Sequence, residues 1–438
     1  MIVHSSRIFL SPMNYTQIKQ KWFPTIPKPL VAILIVAFFI RLSLALVVVN
    51  FSSDFYWEYG EIAKNVLAGR GYSLYYISND ELAFRYNTTV AAYPTALMAP
   101  GYVGFLLPFM FIRNVMTRNI FIILVQTILS LLSLYLVYKF TAKYFSERIA
   151  FFSGMMACIL PDIAYSVFSF TPTVLYHLAV VALLLLLYSI EEANTEKKMF
   201  SISLLFVFLS YIRGEFLLFV FLFLLLQIFA HQWKNVWITL VITISLLSPW
   251  TIRNYTVFDQ FVPLSTGFGL NFYRGNNSEE IGSWGNEDIK RDILSLPQKQ
   301  NFEVQIDRIY QRQAFNFIIS HPWQEISNIP VKLFHLWVFS PLQKRSNNYL
   351  YQLISLCFFI FSIIGLLVTF SWQKHRYLYL MLIYSMVIGL LFFTLPRHQT
   401  MMKIILLPLA GAGLEFLWNL FKQKRSNSEM SKNNHQVV

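Results

Sequence analysis

Ten times between residues 30 and 421 the chain enters an apolar run of roughly bilayer length. A bilayer core of about 30 Å takes about 20 apolar residues as helix, because lipid offers backbone groups no outside hydrogen-bond partner. The runs cover 30–50, 119–138, 149–164, 173–190, 199–213, 215–231, 235–250, 349–371, 377–394 and 400–421. Only 13% of residues are charged, against roughly 25% in a soluble domain, so little polar surface is left for water. The pattern predicts an all-α polytopic membrane protein with about ten transmembrane helices. Its few polar loops must then carry its chemistry.

Two further stretches are ambiguous by length. Residues 99–112 are interrupted by Pro108, and 326–343 carry Lys332 and His335 between Pro330 and Pro341. Charge separates the alternatives. With neither stretch crossing and the N-terminus cytoplasmic, the inside segments hold Lys139, Lys143 and Arg148, then Lys197 and Lys198, Lys234, Lys374 and Arg376, and Lys422, Lys424 and Arg425. The outside loop 161–172 then has no Lys or Arg. Letting 99–112 cross would put basic loops outside, against the positive-inside rule. The expectation is therefore ten spans with both termini cytoplasmic, and the two stretches as helices lying along the outer interface.

The chain divides into a cytoplasmic segment 1–29 without a cleavable signal, a membrane domain 30–421 and a tail 422–438. The Ser/Asn/Lys-rich end of the tail predicts disorder. Two large extracytoplasmic loops, 51–118 and 251–348, remain. The formal net charge of +13 reflects the inside loops, and nucleic acid is not an expected partner; membrane lipids are. Cys158 and Cys357 sit inside apolar runs, which gives neither a disulfide framework nor a thiolate metal site. No His/Cys cluster or calcium-type carboxylate loop is present, so no metal and no cofactor are expected.

The first outer loop opens with SDFYWEYGEIAKNVLAGRGY, residues 53–72. Asp54, Glu58 and Glu61 are spaced i, i+4, i+7, one face of a helix. Such a face serves as a general base, a cation site or a plain solvated surface. Gly69-Arg70-Gly71-Tyr72 ends the helix, and Pro100-Gly101-Tyr102 opens the next.

These residues resemble the first outer loop of the GT-C glycosyltransferases, closest to the protein-mannosyltransferase-like and aminoarabinose-transferase-like membrane enzymes of family 39. The likeness continues through Gln126 and the Arg213 turn. It is strongest in SPWTIRNYTVFDQFVPLSTGFGLNFYRGNN, residues 248–277, and it ends at Leu395-Pro396-Arg397 and Pro408. The resemblance implies a membrane enzyme, in a bacterial inner membrane, that moves a sugar from a polyprenyl-phosphate carrier to a glycan, lipid or protein acceptor at the extracytoplasmic face. It implies a catalytic base in the first outer loop, here Asp54, with Glu58 second. In one place the chain departs from that pattern: Thr171-Pro172 stands where a second acidic residue is usual, and Asp162 is two to three helical turns too early to replace it. Two rival readings remain, a non-catalytic partner with the same fold and a lipid-linked-sugar transporter.

A phosphate at the outer interface needs cations, both to bind it and to stabilise it as a leaving group. Arg253 and Arg397, with His398 beside it, lie at outer ends of spans. Lys332, His335, Lys344 and Arg345 lie on the second interfacial stretch. The plain alternative for each is snorkelling to lipid headgroups. Tyr102, Tyr273, Asn276 and Asn277 are candidates for holding sugar or acceptor, the last three in a Gly/Asn-rich run that ordinary turn chemistry also explains. Arg41, inside the first span, should face the bundle and find an ion-pair partner. Arg213 and Glu215 should contact each other across a tight turn, and His177 should be hydrogen-bonded within the bundle.

Overall fold

The computed structural model of the chain describes residues 27–75, 91–193, 195–297, 301–342 and 344–435. The bundle begins with α1 (Lys28–Val48), followed at one end of it, the end expected to be extracytoplasmic, by the short α2 (Trp57–Leu67). A two-residue antiparallel pair, β1 (Ser73–Leu74) and β2 (Tyr93–Pro94), has register Ser73↔Pro94 and Leu74↔Tyr93. Then come α3 (Pro100–Met110), α4 (Val115–Tyr144), α5 (Glu147–Ile159), α6 (Pro161–Tyr165), α7 (Thr173–Glu192), α8 (Glu196–Ile212), α9 (Leu217–Phe229) and α10 (Trp233–Phe258). The second outer region holds α11 (Phe268–Gly275), α12 (Glu287–Ser295), α13 (Phe302–Ser320) and α14 (Pro322–Trp337). The chain closes with α15 (Tyr349–Val368), α16 (Trp372–Leu391) and α17 (Pro396–His435).

Local chemistry sets many of these boundaries. Proline opens α3, α6, α14 and α17, where its missing N–H has no intrahelical partner to lose. Asn114, Ser146 and Thr195 cap the starts of α4, α5 and α8 through their side chains.

Six helices are long and apolar enough to cross a membrane, and a seventh forms if α5 and the 161–168 segment, bent by 61°, count as one. The other three expected spans are different. Helix α8 has 17 residues and α9 has 13, which at 1.5 Å per residue reach only about 25 Å and about 20 Å. Helix α16 begins with the polar run Trp372-Gln373-Lys374-His375-Arg376 and kinks at His375. The two ambiguous stretches became α3 and α14, with 11 and 16 residues. Helix α17 runs on to His435, into the stretch whose composition predicts disorder; no Pro or Gly interrupts it there.

Between helices in lipid the hydrophobic drive is weak, and close packing of small residues replaces it. Helix α17 illustrates this. A Cβ on Gly413 or Gly365 would overlap the backbone of α15 or α17 respectively, and one on Gly411 would overlap Ser153 and the Ile149 carbonyl of α5. Polar contacts pin the same helix within the bundle. Lys403 Nζ binds the Asp162 carboxylate and donates to Ser355 Oγ at 3.0 Å, and Thr400 Oγ1 meets His177 Nε2 at 3.1 Å. Arg41 is fully buried but has no carboxylate beside it: Nε donates to Ser130 Oγ at 3.1 Å and Nη1 to the Ala37 carbonyl at 3.0 Å. The expected ion pair is thus replaced by hydroxyl and carbonyl acceptors from α4 and from the previous turn of α1.

Candidate active site

The outer loops are anchored before any reactive group is placed. Asn119, at the start of α4, donates to the carbonyls of Phe51 and Ser53 at 2.8 and 2.9 Å and accepts from Tyr56 Oη at 2.7 Å. The chain leaving α1 is therefore fixed against α4. Two aromatic residues there adopt left-handed backbone, Trp57 at φ 56° and Phe170 at φ 47°. Bulky side chains rarely occupy that region, and strain of this kind collects at functional sites. The two meet across the loops. Trp57 Nε1 donates to the Ser169 carbonyl at 3.1 Å, and the Phe170 ring packs edge-on to Tyr56 at 5.1 Å.

The three acids do not share one helical face: Asp54 lies in the non-helical segment before α2, because the left-handed Trp57 starts the helix three residues later, and only Glu58 and Glu61 are on α2. Asp54 is about half exposed, and both its oxygens are engaged: Arg118 Nη1 at 2.7 Å and Lys64 Nζ at 3.0 Å. Lys64 also binds Glu61 at 3.0 Å. Glu58 points inward. It is buried and among the described residues forms no ion pair. Burial raises its carboxyl above the usual carboxylate range, while its own backbone amide and the Arg397 charge pull it back. Tyr59 beside it is pushed up to about 12, chiefly by burial, and feels Arg397 and Arg213.

Behind Glu58 gather three arginines, with a histidine beside them, from three distant parts of the chain. Arg397 and His398 open α17, Arg213 ends α8 and Arg274 sits in α11. Electrostatic coupling links Arg397 to Arg213, and His398 to Arg213, Arg397 and Arg274. Arg213 is paired with Glu215. Arg274 lies between the Trp284 and Phe393 rings, its guanidinium 3.8 Å from each centroid, and donates to the Gly282 carbonyl. Burial, with Arg397 adding, pushes Arg274 down to about 9. The contact of Arg397 Nε with His398 Nε2 is 3.4 Å, and Arg397 has no carboxylate partner among the described residues. Like charges held together in a poorly solvated place repel. An anion arriving between them would relieve that cost.

Several other residues expected at the site have their hydrogen-bonding groups taken up by the protein itself. Arg253 Nη1 donates to the Thr95 carbonyl at 2.7 Å and Nη2 to the Tyr72 carbonyl at 2.9 Å, so it clasps both strands of the β1–β2 pair. Tyr72, Trp250 and Phe258 surround its guanidinium. Glu303 completes this clasp, fully buried, accepting from Thr95 Oγ1, the Ala96 amide and Thr266 Oγ1. Lys332, buried, binds Glu325 at 2.5 Å and Asn276 Oδ1 at 2.8 Å. Asn276 and Asn277 donate to nearby carbonyls and cap the end of α11. Tyr273 packs with Tyr310 in a small core under the second loop. Tyr102 is fully buried, donates to Gln126 Oε1 at 3.1 Å and supports Tyr59 edge-on at 5.1 Å. Where a second acid is usual, Ser169, Thr171 and Thr173 form a run of hydroxyl contacts at 2.7 and 3.0 Å. His335 is buried beneath the α17 start, and the side chains of Lys344 and Arg345 lie outside the described residues.

Sequence reading missed Arg274 and the part played by Arg213. Arg274 was hidden in a run that reads as a turn, and Arg213 has a carboxylate two residues away that accounts for it locally.

Comparison with known proteins bears on this arrangement. Residues 94–252 match the family model of dolichyl-phosphate-mannose-protein mannosyltransferases, a match that includes Arg213 but not α2, Arg274 or Arg397. The oligosaccharyltransferase AglB of Archaeoglobus fulgidus, solved with an inhibitory peptide and a dolichol-phosphate, superposes at TM-score 0.52 with 13% identity over 92% of this chain. The chain has the GT-C fold. It spans about half the length of the oligosaccharyltransferases it matches, 52% of that AglB chain and 49% of the same enzyme solved with Zn and sulfate, where TM-score is 0.52 and 90% of this chain is covered at 13% identity. ArnT of Cupriavidus metallidurans, bound to undecaprenyl phosphate, matches at TM-score 0.42 with 11% identity over 88% of this chain and 76% of that one, too distant to carry weight. No curated protein sequence matches. The GT-C fold is shared by membrane glycosyltransferases, and in this chain the acidic α2 and the arginine cluster lie on one end of it.

Proposed function

We propose that this GT-C protein transfers a sugar from a polyprenyl-phosphate carrier to an acceptor hydroxyl at the extracytoplasmic face. The observation that carries the reading is the convergence of Arg213, Arg274, Arg397 and His398 on the inner side of Glu58. The carrier phosphate sits among these arginines while its isoprenoid chain stays in lipid. The acceptor hydroxyl loses its proton to a carboxylate of α2 and attacks the anomeric carbon. The carbon–oxygen bond to phosphate breaks, and the electron pair leaves with the phosphate, whose new charge the guanidiniums stabilise.

Glu58 is the better base of the two. A base works best with its pKa raised toward the operating pH, and Glu58 is buried, unpaired and beside Arg397. Asp54 is held by Arg118 and Lys64, which suits an anchor that orients the loop or an acceptor. Its greater exposure supports a second reading, in which acceptor binding displaces one cation and Asp54 takes the proton. The test is transfer measured in reconstituted protein with a defined polyprenyl-phosphate sugar, comparing Glu58→Gln with Asp54→Asn. Loss in the first alone supports Glu58, loss in the second alone moves the base to Asp54, and full activity in both overturns the enzyme reading.

A further inference from the structure

At the end of the bundle opposite the arginines, the start of α1, the later part of α4, the first turns of α5 and the far part of α17 enclose a cavity of about 400 Å³. Glu415, on its wall, lies eighteen residues beyond Arg397 on α17, about 27 Å along the axis. The cavity therefore stands a membrane's thickness away from the proposed reaction.

Its lining carries both signs of charge, and they do not neutralise each other. Arg148, Lys422, Glu147 and Glu415 all face the same space. Arg148 and Glu415 form no ion pair or hydrogen bond among the described residues. Lys422 Nζ lies 5.5 Å from the Trp418 ring centroid instead of on a carboxylate. Among the described residues Glu147 accepts only from Tyr138 Oη, at 3.0 Å, and keeps acceptor capacity. Exposed Phe151 and Trp418 supply an apolar wall. Plain snorkelling would bring cations to this depth without carboxylates. Unpaired charges of both signs beside apolar rings suit a ligand that carries both signs and a hydrocarbon part.

We propose that this cavity binds the headgroup of a zwitterionic phospholipid with a primary amine, such as phosphatidylethanolamine. Its phosphate lies between Arg148 and Lys422, its ammonium between Glu415 and Glu147, and its acyl chains run over Phe151 and Trp418. An ammonium has three N–H donors for carboxylates, as a lysine does, whereas the trimethylated choline group has none. Phosphatidylglycerol has the phosphate but no cation. The site thus discriminates at the amine, and α17, whose other end bears Arg397, is the helix that such a lipid would brace.

The test uses the full chain in nanodiscs holding equal amounts of phosphatidylethanolamine, phosphatidylcholine and phosphatidylglycerol, with the retained lipid read by native mass spectrometry. Loss of charge-assisted hydrogen bonds changes occupancy about tenfold, so ethanolamine lipid should be retained about tenfold over the other two. Stepwise N-methylation of the ethanolamine lipid, with unaltered protein, should lower retention at each step. Glu415→Gln should abolish the preference of ethanolamine over choline, and Arg148→Gln should weaken retention of all three. Equal retention of the three lipids, a preference for phosphatidylglycerol, indifference to N-methylation, or a preference unchanged in Glu415→Gln would each overturn the proposal.

Discussion

Arg253 and Arg397 both lie at helix ends beside the outer loops, and both look in sequence like phosphate ligands, but the structure gives them opposite surroundings. Arg253 spends its guanidinium on two carbonyls and an amide oxygen and is wrapped in three aromatic rings. Arg397 has one long contact to a neighbouring imidazole, and other arginines nearby. The first closes a clasp between the β1–β2 pair and the second outer loop, with Glu303 on its other side. The second is left with a charge that the protein does not cancel. The difference teaches that the residue type marks only a capacity. Whether an arginine builds the scaffold or waits for a ligand depends on how many of its donors the protein has already used.

Four measurements break or sharpen that contrast. The largest effect is expected at Glu58, which faces the unpaired cluster. Glu58→Gln should lower transfer by about 10²–10⁴, the usual range for a lost general base, with donor binding retained. Wild-type rates in that variant would remove Glu58 from the chemistry.

Next comes Arg397→Gln. A lost charge-assisted contact corresponds to roughly ten- to a hundredfold weaker donor dependence, and Arg397→Lys should recover only part of it because the planar fork is lost. Arg274→Gln should behave in the same direction. Donor-concentration curves that overlay the wild type for both glutamine variants would leave the cluster without a ligand.

Arg253→Gln is the matching probe of the clasp. It leaves the Thr95 and Tyr72 carbonyls short of donors and should lower stability by about 1–3 kcal/mol, read as a lower Tm and faster proteolysis of the outer loops, with the donor dependence of the remaining folded protein unchanged. A selective rise in donor requirement at unchanged Tm would put Arg253 back at the phosphate.

The smallest effect is on pH dependence. Because burial holds the Glu58 carboxyl above its ordinary 4.5, transfer should rise with pH along a limb above that value. Arg397 favours the ionised form, so Arg397→Gln should move the limb further up. A limb that stays fixed in Arg397→Gln would separate the two residues electrostatically.

Much of this protein was legible before any coordinates. Apolar run length and the scarcity of charge determined an all-α membrane bundle, because lipid forces each spanning segment to satisfy its own backbone. The spacing of Glu58 and Glu61 marked an acidic helix at one end of that bundle, although Asp54, expected on the same face, lies in the non-helical segment before it, and the Arg213–Glu215 contact followed from a tight turn. What only the tertiary structure decided is which charges remain unspent. Asp54 and Glu58 are four residues apart, but Asp54 precedes the helix and turns to Arg118 and Lys64, while Glu58, beyond the left-handed Trp57, turns inward to Arg397. Arg274 joins the cluster through the packing of α11 against the end of α16, and Lys332 and Asn276 are taken up by that same packing, donating to the Leu390 and Leu391 carbonyls. Spacing along a chain fixes which residues share a face; electrostatics depends on distance and burial in space, and those come from helices far apart in sequence.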